Sequence, residues 1–250
     1  PADRRVAVVR AGGLLADEAL GGASLFGTPG TVASAPLHGQ LRRALEDPLV
    51  RGVLLDLRGV GGMAQLEELR PRVQALRLAG KPVVAYLEHG GGRGDLYLAS
   101  ACDRVFATEE ADFSGLGLRA ERRYYRRVLE GLGLKVDRAS IGAYKSAYRN
   151  LSVDSTAAPD AEVIDRSLDQ FQALFVEALV QGRGVPAERF ANVLDGRGWT
   201  ARDLVAAGLL DSVGYREDAL AALGSLTGLG AKPRTVALGR APLARREWTR

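Results

Sequence analysis

Short aliphatic runs alternate with amphipathic helical stretches along most of this chain, and that alternation most narrows the folds open to it. "RVAVVRAGG" (Arg5–Gly13), "VRGVLLDLRG" around Val53–Leu57, "KPVVAYLEH", "RVFATE" and "KVDRASIG" predict strands. Between them lie helical patterns. "LHGQLRRALEDP" ends before Pro48, and "MAQLEELRPRVQALRLAG" sets Leu66, Leu69, Val73 and Leu76 on one face, with Gly80 as its stop. Pro71 falls inside that second helix and predicts a kink. "GDLYLASAC" predicts a helix after a glycine loop. Arg119–Leu132 predicts another, with Tyr125, Val128, Leu129 and Leu132 inward. Pro159–Val180 is the longest, with Val163, Ile164, Leu168, Phe171, Leu174 and Phe175 inward, and "PAERFANVLDG", "TARDLVAAGLL" and "EDALAALGSL" follow as short helices. Strands joined by helices mean an α/β class with parallel connections. The 250 residues, 46% of them hydrophobic, suffice for a sizeable core in one large domain or two small ones.

Charge and cysteine content remove several function classes. The net charge of +4 is modest, and basic residues interleave with acidic ones, so no dedicated nucleic-acid surface is expected. The dense run "RAERRYYRRVLEGLGL" reads as the exposed face of a helix. The single cysteine, Cys102, excludes an intrachain disulfide and a cysteine-rich zinc site, and in "LASACDRVF" it reads as a small buried residue. No run reaches the roughly 18 apolar residues of a spanning helix. The chain opens at "PADRRVAVVR" without an initiating methionine, and both ends read as cut. Residues 1–230 are expected to form the domain. The basic, irregular 231–250 are expected to form a linker toward something else.

Several residues are candidates for chemistry. The chain has four lysines, Lys81, Lys135, Lys145 and Lys232, among 34 basic residues. Arginine does not lose its proton at workable pH, whereas a buried lysine can. Lys145, in "SIGAYKSAYRNL", is therefore either a solvated surface lysine or a base. Gly61 and Gly62 lie between a strand and a helix, where they form either a tight turn or a set of backbone donors for an oxyanion. "YLEHGGGRGDLYLAS" has the same strand, glycine loop and helix order but matches neither GxGxxG nor a Walker loop. Its Arg93-Gly94-Asp95 tripeptide is too short to carry meaning. His89 and His38 lack companions at metal-ligand spacing, so no metal is expected. Asp112 and Asp154 read as turn or cap residues, and Ser114 is a nucleophile only if a base lies near.

The order of these pieces resembles the signal peptide peptidase A (protease IV) family, of the Clp peptidase/crotonase superfold. The resemblance runs from about Val50 to Gly214 and rests on "DPLVRGVLLDLRGVGG", "GKPVVAYLEHGGGRGDLYLASACDRVFATEEADFSGLGL", "LEGLGLKVDRASIGAYKSA" and "GRGWTARDLVAAGLLDSVG". The Tyr-Lys-Ser-Ala piece is the most specific of these. The resemblance implies an α/β fold of repeated strand-strand-helix units. It also implies a serine peptidase with a Ser/Lys dyad and no cofactor, in which Lys145 is the general base. It implies hydrophobic, cleaved signal peptides as substrates and a homotetramer. The implied place is the bacterial inner membrane, with the domain on its extracytoplasmic side.

This sequence departs from the family at two positions. Matching "YLASACDR" to the family places Arg93 at the nucleophilic serine of the "SGGYY" motif. Matching "DFSGLGL" places Gly115 at the serine that orients the lysine, with Ser114 one residue off. A chain with the base and neither serine resembles the amino-terminal half of a two-domain member. There the serine comes from a second domain, and dyads are completed between neighbouring protomers. An upstream anchor and a downstream serine-bearing half are then expected outside this chain. The alternatives are a non-catalytic scaffold of the same fold and a crotonase-like acyl-CoA enzyme, for which the Tyr-Lys-Ser-Ala piece gives no support.

Overall fold

The computed structural model describes residues 3–19, 30–190 and 193–239. In chain order the elements begin with β1 (Arg5–Ala16), β2 (Thr31–Ala33), α1 (Ala35–Glu46), β3 (Val50–Gly61), α2 (Met63–Leu78), β4 (Val83–Leu87), α3 (Arg93–Ala99), β5 (Arg104–Ala107) and β6 (Asp112–Phe113). They continue with α4 (Arg126–Gly131), α5 (Ala158–Arg183), β7 (Trp199–Thr200), α6 (Ala201–Ala206), β8 (Ser212–Val213), α7 (Arg216–Thr227) and β9 (Thr235–Ala237). The chain forms two compact units. The first comprises Pro1–Gly117 with Val176–Arg250, and the second is Leu118–Phe175.

The first unit is built on a parallel sheet in the order β2-β1-β3-β4-β5-β8. The long β1 pairs with β3 on one edge. Its other edge takes β2 at Leu14–Ala16 and β9 at Val6–Val8. Near-continuous aliphatic runs suit strands covered on both faces. On one face Val6, Leu54, Val84 and Tyr86 pack against Ala219 and Leu223 of α7. The intervening residues, among them Ala7, Val9, Val53, Leu55, Val83 and Ala85, are equally buried, and α1 and α2 pack against these strands. The predicted apolar stripe of α2 holds: Leu66, Leu69, Val73 and Leu76 are all buried. Pro71 sits within α2. An antiparallel pair, β6 with β7, completes this unit.

Several expectations fail, for physical reasons. The helix over 119–132 shortens to α4, which buries none of its residues. Tyr125, Val128 and Leu132 are 42%, 61% and 71% exposed rather than inward, because none of the described residues covers them. "KVDRASIG" forms no strand, since no described neighbour offers it a hydrogen-bonding edge. In α5, Phe175 is buried as expected, but Val163 and Phe171 are each half exposed. In "PAERFANVLDG" a 3-10 turn covers Ala187–Phe190, and 191–192 lie outside the described residues. Of the expected linker 231–250, residues 235–237 are strand β9, paired with β1, and 240–250 lie outside the described residues.

Candidate functional site

At the carboxyl end of β3 the chain turns into α2 through Gly61 and Gly62. Gly62 has φ 92 and ψ 77, and a Cβ there would lie 2.3 Å from the Leu15 carbonyl oxygen. Both constraints demand glycine. Gly62→Ala is expected to cost at least ~2 kcal/mol through left-handed strain and overlap, lowering the thermal midpoint by about 4–8 °C. Unfolding followed by circular dichroism checks this. The start of α3 packs against the same turn, because a Cβ on Gly94 would lie 2.1 Å from the Val60 carbonyl oxygen. Asp95 ties the two together. Its carboxylate is fully buried and accepts the N–H of Val60 at 3.0 Å and of Gly92 at 3.0 Å. Burial is the main influence on it and raises its pKa, against the opposing pull of these N–H donors.

Arg93, the first residue of α3, stands at the mouth of this turn. Its Nη1 donates to the Leu116 carbonyl at 2.7 Å. The resemblance gives the family's two serines to positions 93 and 115, and Arg93 thus reaches the residue next to Gly115. The two positions hold an arginine and a glycine, and Gly115 adopts φ 71. Burial pushes the Arg93 guanidinium down to about 10, so it remains a cation near neutral pH and supplies no nucleophile. Beside it, Arg58, Gly59, His89, the Gly90–Gly92 loop, Asp112 and Ser114 line a shallow recess of about 380 Å³. Ser114 Oγ donates to Asp112 Oδ2 at 2.9 Å, and His89 is exposed, 3.8 Å from Glu88. The loop N–H groups of Gly91 and Gly92 are spent internally, on the Asp112 carbonyl and on Asp95. Cys102 is buried, and burial pushes its thiol up to about 12, which makes it inert. Among the described residues no group of three His, Cys, Asp or Glu could hold a metal.

Lys145 lies in the second unit, on the loop between α4 and the 3-10 turn Arg149–Leu151. Its side chain is exposed within this chain. The other lysines show what structural employment looks like. Lys81 donates to the carbonyls of Ala44, Leu45 and Asp47 at 2.8, 2.8 and 2.7 Å, closing the end of α1. Lys135 lies 3.9 Å from Asp137. Among the described residues the Lys145 ammonium has neither an ion pair nor a hydrogen bond. Its neighbours Tyr144 and Ser146 line a recess of about 580 Å³ within the same unit, with Arg122, Thr156, Asp160 and Ile164.

Sequence reasoning missed Asp95, Arg149 and Asp160. Asp95 carried a readable signal, an acidic residue at the third position of a helix, where it can accept backbone N–H groups. Arg149 carried none in a chain this rich in arginine.

The parallel α/β sheet with glycine turns where β3 and β4 end agrees with the Clp peptidase/crotonase fold class that the resemblance implies. Residues 75–230 match the profile of peptidase family S49, and the chain belongs to that family. An Enterococcus faecium protein named as a signal peptide peptidase, SppA, is 28% identical over 188 residues, covering 74% of this chain and 53% of that one. Protease 4 of Salmonella typhi is 26% identical over 222 residues, covering 87% of this chain and 35% of that one. The chain thus spans about a third to a half of these relatives' length. Among solved structures, the membrane-bound stomatin-specific protease 1510-N has a TM-score of 0.54 over 95% of this chain and 99% of that one. At 12% identity, this is a likeness of fold. No helix among the described residues is long and apolar enough to cross a membrane.

Proposed function

We propose that this chain is one half of a serine peptidase site. It supplies Lys145 as the general base of a Ser/Lys dyad whose serine comes from a second, serine-bearing domain. One contrast carries the reading: an arginine stands at position 93, where the resemblance places the family's nucleophile, while Lys145 keeps its family context and its ammonium has no partner among the described residues. In the dyad, the neutral lysine takes the serine's proton as the hydroxyl attacks the peptide carbonyl. The exposure of Lys145 in this chain fits a base that becomes desolvated only when another domain covers it. The Gly61–Gly62 turn is the candidate source of backbone donors for the oxyanion. The substrates are cleaved signal peptides, as the name of the Enterococcus faecium relative suggests, hydrophobic ones by the family resemblance, and the assembly is a homotetramer at the extracytoplasmic face of a bacterial inner membrane.

By itself the chain is expected to fold and to hydrolyse no peptide or peptide ester, and Ser114→Ala is expected to change nothing beyond a small stability effect. Fluorogenic peptide hydrolysis by the purified chain checks both. Robust activity that Ser114→Ala abolishes would sink the half-site reading. The same exposure of Lys145 favours a second reading, a scaffold domain in which the lysine has no chemical task. That reading expects full activity from an assembly carrying Lys145→Ala.

A further inference from the structure

The second unit has an unusual interior. Within Leu118–Phe175, the buried residues are Phe175 and an ion pair, Arg149 at 8% and Asp160 at 4% exposure. An apolar core does not hold this segment's loops. A charged centre does, and it lies beneath Lys145.

We propose that Arg149, held by Asp160, is the positioning residue that presents Lys145 to its reaction partner; this rests on the base reading above. The guanidinium reaches three places at once. Nη1 donates to Asp160 Oδ1 at 2.8 Å, while Nη2 donates to the Ala143 carbonyl at 2.9 Å and to the Lys145 carbonyl at 3.3 Å. Asp160 is fixed in turn, because its other oxygen accepts Arg122 Nη1 at 3.0 Å. A second arginine, Arg138, donates to the Lys145 carbonyl at 2.8 Å, and the Lys145 N–H donates to the Gly142 carbonyl at 3.3 Å. The lysine's backbone is therefore clamped at both its N–H and its carbonyl, while its side chain is left unengaged.

The local backbone is bent to make this reach. Tyr148 adopts φ 58, the one non-glycine residue in the left-handed region among those described. That turn sends Arg149 back under the loop, four residues on from the carbonyl it grips. A left-handed tyrosine persists only where its surroundings enforce it, and the Arg149–Asp160 pair supplies that enforcement. Only arginine can do this work. Its rigid, planar fork of five donors serves a carboxylate and two carbonyls together, whereas an ammonium is a single point charge on a flexible stem. A general base must stay within hydrogen-bond reach of its nucleophile, and a displacement of about 1 Å can cost on the order of a hundredfold in rate.

Two measurements test the clasp. In the isolated chain, Arg149→Lys is expected to speed amide hydrogen exchange of residues 143–146 by about tenfold or more, with the rest of the second unit unchanged. Asp160→Asn keeps the shape and removes the charge, and should give a smaller increase at the same residues. It also serves if Arg149→Lys disturbs folding. In the assembled peptidase, Arg149→Lys is expected to lower kcat by about ten- to a hundredfold with KM nearly unchanged. A purely structural role would instead loosen residues 118–175 uniformly, and that result overturns the proposal. So does unchanged exchange at 143–146, or an unchanged kcat. Full activity of Lys145→Ala in the assembly would overturn the base reading and the positioning role with it, and the exchange data would separate that failure from a failure of the clasp.

Discussion

Lys145→Ala is expected to lower the turnover of the assembled peptidase by about a hundredfold to ten-thousandfold, the usual cost of losing a general base. Folding and assembly should be unaffected, because the ammonium holds nothing together among the described residues. Lys145→Arg should be nearly as damaging. Arginine keeps the charge and most of the length, but it cannot give up its proton to become a base. Comparing the two variants separates the readings: a fully active Lys145→Arg assembly means that the position needs a cation rather than a base. The measurement is initial-rate hydrolysis of a hydrophobic fluorogenic peptide, with size-exclusion chromatography to confirm that each variant assembles. Lys81 provides the control in the opposite sense. It donates to three carbonyls at the end of α1, so Lys81→Ala should affect stability rather than rate.

The same contrast explains how much was legible in the sequence. The runs that became β1, β3 and β4 were readable because each holds an aliphatic stretch buried on both faces of the sheet. The stripe of Leu66, Leu69, Val73 and Leu76 was readable because it meets those strands. Where burial follows periodicity, the sequence pattern is the structure. In the second unit that link breaks. Val128 and Leu132, and Val163 in α5, lie at the surface of this chain, and besides Phe175 the buried residues there are an arginine and an aspartate. Periodicity detects apolar faces and is blind to a charged core. The two-residue strands β6, β7 and β8 were invisible for a different reason. Two residues are too few to show alternation, and only their partners define them.

Lys145 itself was marked by scarcity and by its Tyr-Lys-Ser-Ala context, and the structure adds what those could not: its ammonium makes no ion pair or hydrogen bond among the described residues. The departure at position 93 rests on matching residues alone. Its physical consequence, a guanidinium fastened to the Leu116 carbonyl, required coordinates. The sequence left Lys145 open between a solvated surface lysine and a base, and within this chain its side chain is exposed.

Asp95→Ala is expected to destabilise the first unit by roughly 1–3 kcal/mol or somewhat more. The substitution leaves the buried N–H of Val60 without its acceptor, at about 1–3 kcal/mol, and the part-buried N–H of Gly92 adds a smaller loss. Both donors sit where β3 and the glycine loop deliver their turns, so the loss should fall on the Gly61–Gly62 region first. Asp95→Asn keeps the size and one acceptor oxygen, and should cost less. The pH dependence has a definite sign. Burial raises the folded-state pKa of Asp95 above its ordinary value of 3.8, so the folded chain binds this proton more readily than the unfolded chain does. Its contribution to stability is fully present below the ordinary value and is lost as pH rises through the raised one. Relative to Asp95→Asn, the native chain should therefore lose stability as pH climbs from about 4 through that mildly acidic window, and the difference should level off above it. Urea unfolding of both proteins across that range measures it. A difference that is flat with pH, or that grows in favour of the native chain as pH rises, would mean that the N–H donors outweigh burial at this carboxylate.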